Sequence, residues 1–222
     1  MINDIKKAYK IVKYSPQFKN MMLLGMMFGI LGFVFEVSEG GESVIGAFYF
    51  VLLPVFLFQL LMTLTCSKLV QASPLKKKLQ VTMPYLVTVP LEALFTGIII
   101  VYHVYLVNRG VEGLTYEENY ARQSAFIFVV GIIVSFSFVY YSLCYKYMIV
   151  PTILFVVIMV FILGVVRKID SPVYTFLSRN LTVSVVATVG MFVVSVIVSY
   201  IITLLTYKHN LSPFITKRML VK

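Results

Sequence analysis

Glu92 stands in "VTVPLEALF", Val87 to Phe95, an acid among apolar residues and two positions after a proline. A carboxyl group in such a run takes up a proton, binds a cation, or bonds a neighbouring helix as the neutral acid. Pro90 has no N–H to offer, which frees a carbonyl one turn earlier and bends a helix locally. Gln59, in the preceding apolar run, is the expected hydrogen-bond partner, so Gln59 and Glu92 are the candidate lining of a path through the membrane. Other chemistry is sparse. The two histidines, His103 and His209, fall on different segments, which excludes an H-E-x-x-H pair and a metal cluster. Two cysteines, Cys66 and Cys144, are too few for a disulfide framework. No G-x-x-x-x-G-K-[ST] occurs, so any ATP that powers the chain is bound by another polypeptide.

One stretch does match a catalytic pattern. "EENYAR", Glu117 to Arg122, fits E-E-x-x-x-R, a signature of the intramembrane CAAX-type proteases. Such an enzyme also needs later histidines. The one that follows, His209, falls in the C-terminal tail, on the other side of the membrane. The set cannot assemble. The stretch is read as an acidic outer loop, and the chain is expected not to be an enzyme.

The elements that must position these residues are set by composition. The chain is 60% hydrophobic and 13% charged, with a mean hydropathy of +0.94, where soluble domains carry about 25% charge. About 20 apolar residues cross a hydrocarbon core roughly 30 Å thick. Six such segments are marked: Met21 to Val37, Val44 to Cys66, Met83 to Val107, Ser124 to Cys144, Met148 to Val166 and Val183 to Leu205. The expectation is an all-α membrane protein of six transmembrane helices, forming one domain over residues 1–222. Glu92 then lies about 13 Å inside the third span at 1.5 Å per residue. No cleavable signal peptide is expected, because mixed residues precede the first apolar run and no small-residue cleavage site follows it.

Charge orients the spans. The net charge is +10, which in so apolar a chain is membrane topology rather than a nucleic-acid footprint. Fourteen of the nineteen basic residues fall in the N-terminal stretch, the second-to-third and fourth-to-fifth loops, and the C-terminal tail. With Glu36, one residue from the end of the first span, counted in the outer loop, eight of the nine acids are placed outside the spans and seven of them on the lysine-poor side, which leaves Glu92 as the one carboxylate deep within a span. By the positive-inside rule both termini are expected to be cytoplasmic, and the expected location is the plasma membrane. Ile2, Ile5, Tyr9 and Val12 recur at helical steps opposite Lys6, Lys7, Lys10 and Lys13, the pattern of an interfacial helix over residues 2–15 with its lysines at anionic lipid headgroups. A second amphipathic run, "VYTFLSRN", precedes the sixth span. Gly25, Gly29 and Gly32 in "GMMFGILG" let another helix approach closely, within the bundle or across a dimer.

The basic run "SPLKKKLQVTMPYL", Ser73 to Leu86, interrupts this apolar chain. It resembles the loop between the second and third spans of ABC-2-type transporter permeases, commonly S-L-P-[IV]-S-[RK]. Ser73, Pro74 and Lys76, Lys77 and Lys78 fit that theme, although Ser-Pro-Leu departs from the commoner Ser-Leu-Pro. Six spans, cytoplasmic termini, an interfacial N-terminal helix and an amphipathic segment before the last span resemble the same family over nearly the whole chain. The resemblance implies that Ser73, Pro74, Leu75, Lys76, Lys77, Lys78 and Leu79 form a coupling helix docked on a separate cytoplasmic ABC ATPase. It further implies ATP and magnesium on that partner, no cofactor in this chain, and a dimer with a second permease copy or paralogue. The size is similar to that of bacterial exporters of amphipathic peptides, among them bacteriocin-immunity and phenol-soluble-modulin exporters. The competing expectation is an ion-coupled carrier or substrate-binding membrane component that uses Glu92 and needs no ATPase.

Overall fold

The computed structural model describes residues 10, 13, 18–40, 43–65, 72, 74, 77–144, 146–166 and 180–213. All regular structure among them is helical: α1 Phe18–Ser38, α2 Ile45–Thr65, a π-helical turn Lys78–Thr82, α3 Met83–Arg109, α4 Tyr116–Leu143, α5 Ile149–Val166 and α6 Leu181–Thr206. Five of these, α1, α2, α3 with its π turn, α4 and α6, are long and apolar enough to cross a membrane. The fifth expected span, Met148 to Val166, corresponds to α5, which is shorter and outside that set. Its 18 residues reach only about 27 Å at the helical rise, just under the thickness of a hydrocarbon core. The interfacial helix over residues 2–15 and the run Val173 to Arg179 lie outside the described residues, apart from Lys10 and Lys13, which are helical and exposed.

Local chemistry explains where the helices start. Thr115 caps α4: its hydroxyl oxygen accepts from the Glu118 N–H at 3.3 Å, while the Glu118 carboxylate accepts from the Thr115 N–H at 2.9 Å. That reciprocal cap starts α4 eight residues before the apolar segment begins at Ser124. It also gives the acidic "EENYAR" stretch a structural role. Asn180 caps α6 by accepting from the Thr182 N–H at 2.9 Å. Before α3, Pro84 cannot donate to the Gln80 carbonyl, and the wider π turn Lys78–Thr82 accommodates the proline ring. The backbone runs through that turn into α3 without a break, as one 32-residue element, Lys78–Arg109.

α4 is the hub, buried along most of its length. Within a membrane, helices associate through close packing and small residues rather than through release of water. A Cβ on Gly131 of α4 would lie 3.0 Å from the Thr188 Cα and 2.6 Å from the Met191 Cε, so α6 approaches α4 closely at that level. Thr188 donates to the Ile127 carbonyl at 2.8 Å and Ser199 to the Phe138 carbonyl at 2.6 Å, tying the same pair together. Phe58 of α2 stacks on Tyr141 of α4 with ring centroids 4.7 Å apart. Gly32 of α1 meets α2, where a Cβ would stand 3.1 Å from the Gly46 carbonyl and 3.2 Å from the Tyr49 Cβ. Gly25 and Gly29 make ordinary contact with Leu53 of α2. The glycine face therefore packs within the bundle. Large apolar side chains cover the outside, including Ile30, Phe33, Val150, Val160, Val186 and Leu205, as a lipid-facing surface requires.

The two ends of the bundle differ in charge. At one end Lys146, which starts the connection to α5, donates to the carbonyls of Tyr207 at 3.3 Å and His209 at 2.7 Å, capping the C-terminus of α6. Tyr147 bonds His209 there, and Lys77 stands 6.0 Å over the Tyr207 ring. At the other end Tyr120, in the second turn of α4, bonds Asn180 at the start of α6, close to the capping Glu118.

Candidate functional site

α3 presents one buried face, and that face is polar. Tyr85, Thr88, Glu92, Thr96 and His103 recur at three-, four- and seven-residue steps and all are buried, with Ile99 completing the row. The stripe runs along most of the helix. At its basic end Tyr85 shares hydrogen bonds with Ser199 at 2.5 Å and Thr203 at 2.7 Å on α6. Thr88 turns its hydroxyl back to the Pro84 carbonyl at 2.8 Å.

In the middle the bonding stops. Glu92 is wholly buried, and neither carboxyl oxygen has a hydrogen-bond partner among the described residues. The same holds for the hydroxyls of Thr96 and Tyr141. The expected bond from Gln59 to Glu92 is not made; Gln59 lies half-buried on α2. An ionised carboxylate without partners is far too costly in such surroundings. This group is therefore a neutral acid at rest, able to release a proton or to receive a polar or cationic group brought to it. Pro90 is exposed, while Glu92 faces the bundle interior.

At the acidic end a second polar group crosses three helices. Glu36 from α1, His103 from α3, and Asn119 and Gln123 from α4 are all buried. Asn119 Nδ2 donates to the Leu106 carbonyl at 2.9 Å, Gln123 Nε2 donates to Asn119 Oδ1 at 3.1 Å, and Gln123 Oε1 lies 2.6 Å from His103 Nδ1. His103 Nε2 stands 3.3 Å from Glu36 Oε1. Tyr102 donates to the Glu36 carbonyl at 3.3 Å. This cluster corrects the placing of Glu36 in an outer loop: it closes the last turn of α1, and Glu92 is not the one carboxylate within a helix. The sequence reading gave none of these four residues a functional role. The available signal was the four-residue step from Asn119 to Gln123, which puts two amides on one helical face.

Of the basic segment, Ser73, Leu75 and Lys76 lie outside the described residues. Pro74, Lys77 and Lys78 are exposed, and Leu79 is half-buried at the π turn. Among the described residues no three His, Cys, Asp or Glu side chains are grouped to hold a metal ion. Comparison with protein-family models, with curated proteins and with solved structures finds no match.

Proposed function

We propose that the chain is the transmembrane permease subunit of an ATP-driven exporter of the ABC-2 type, coupled through residues 73–79 to a separate ATPase and acting as a dimer in the plasma membrane. One observation carries the reading: the basic segment continues through the π turn into α3, the helix whose buried face holds Glu92. Force applied at Lys77 and Lys78 reaches the polar track along a single hydrogen-bonded element, without a hinge loop to absorb it. ATP and magnesium belong to the partner ATPase, and the transported molecule is an amphipathic peptide or another lipophilic substrate entering from the inner leaflet.

Two cytoplasmic termini require an even number of crossings, six when α5 is included, and the chain path supports that count. The C-terminus of α4 lies at the end capped by Lys146, while the start of α6 is bonded to Tyr120 at the opposite end. The intervening chain, which includes α5, must travel between the ends. The segregation of Lys77, Lys146 and Lys208 from Glu117 and Glu118 supports the same orientation.

The test is retention of the ATPase during purification from native membranes. Leu75→Asp keeps every lysine and spoils only an apolar docking face; it should leave insertion intact and strip the ATPase from the complex. Full ATPase retention with normal export would end the coupling reading. The second reading, an ion-coupled carrier, is favoured by the unpartnered Glu92 carboxyl. It expects proton-driven uptake by the purified chain alone in proteoliposomes, lost in Glu92→Gln.

A further inference from the structure

The cluster at the acidic end fixes the direction of each of its hydrogen bonds. The Leu106 carbonyl can only accept, so Asn119 must present its amide nitrogen there and its oxygen to Gln123. Gln123 must then donate to that oxygen and turn its own Oε1 to His103. An amide oxygen only accepts, so His103 Nδ1 carries hydrogen. The tautomer is thus dictated by a main-chain carbonyl two side chains away. It leaves Nε2, in neutral histidine a lone pair, 3.3 Å from Glu36 Oε1. Neither atom makes a hydrogen bond among the described residues, and two lone pairs this close in a water-poor interior repel each other.

We propose that Glu36 and His103 form a proton-binding site that holds one exchangeable proton between Oε1 and Nε2. With that proton the pair has no net charge, whichever atom carries it. Without it a buried negative charge remains beside an opposed lone pair. The carboxyl group lies against the backbone of Gly46, in the first turn of α2, where a Cβ would collide with it. Among the described residues, the other ionisable groups near the pair are Glu39, just after α1, whose charge reaches Glu36, and Tyr102 on α3. Among the described residues, the polar links from α1 to α3 are this pair and the Tyr102 bond. Loss of the proton would therefore remove one of these two links and leave the Tyr102 bond as the polar tie between α1 and α3. The site stands whether or not an ATPase drives the bundle.

The full chain in lipid nanodiscs, labelled with nitrogen-15 histidine and carrying His209→Gln to leave one histidine signal, tests this. Nitrogen shifts distinguish a protonated ring nitrogen from a lone pair, and infrared difference spectra against Glu36→Gln report whether Glu36 is a neutral acid. At neutral pH either a doubly protonated His103 beside ionised Glu36, or a singly protonated His103 beside an acid band that Glu36→Gln removes, supports the site. Hydrogen–deuterium exchange should shift the same signal. A singly protonated His103 beside an ionised Glu36 overturns it, as does a lone pair at Nδ1. The unmodified Glu36 chain alone yields the nitrogen result, so misfolding of the variant would not rescue a failed proposal.

Discussion

At the scale of single residues, Glu92 combines complete burial with an absence of hydrogen bonds. A buried polar group left unsatisfied costs about 1–3 kcal/mol, so its removal should help folding. Glu92→Leu is expected to raise the thermal midpoint of the purified protein, by about 2–4 °C for each kcal/mol recovered in a chain of this size, while abolishing transport. Glu92→Gln, which keeps shape, should reduce transport at unchanged expression. A lowered midpoint in the leucine variant, measured by fluorescence-detected unfolding, would mean that the carboxyl is structural. Glu92 was legible because one acid stands out in an apolar run. Its link to Gln59 was not, because depth along two helices does not say which faces meet. Glu36, His103, Asn119 and Gln123 escaped for a related reason. Each lies near the end of a hydrophobic segment, where a polar residue usually means headgroups, and only the packing of three helices makes them neighbours.

At the scale of helices, the contact of α4 with α6 depends on Gly131. Inserting a methyl group there drives against the backbone of Thr188 and should cost about 1–3 kcal/mol by overpacking. Gly190, on α6, has nothing within 4 Å of where a Cβ would stand. Gly190→Ala should be neutral or stabilising by up to about 1 kcal/mol through helix propensity. Paired unfolding curves check both, and equal effects at the two positions would deny the close approach. Hydropathy located the helices well because lipid demands continuous apolar stretches. It missed the early start of α4 because Thr115 and Glu118 begin a helix by hydrogen bonding, to which an average over apolar residues is blind. The glycines of α1 announced a close contact without naming the partner, which proves to be α2 through Gly32.

For the whole molecule, the proposed orientation places Lys77 inside and Glu117 outside. With Cys66 and Cys144 replaced by alanine, Lys77→Cys should resist an impermeant thiol reagent in intact cells and Glu117→Cys should react; the reverse pattern would invert the topology. The lengths of the helices carry a further consequence. α3 with its π turn extends about 48 Å, while α5 reaches only about 27 Å, and both belong to one bundle. α3 can tilt or run on into the headgroups, but on the proposed six-span reading α5 falls a few ångströms short of the core, so that the bilayer thins beside it or that helix sinks from one surface. Lipid chain length thus becomes a variable that acts on one flank of the protein. Short-chain lipids should relieve the mismatch at α5, and long-chain lipids should strain the connection held by Lys146. The membrane itself would then tune how firmly the C-terminus of α6 is capped, with no ligand involved.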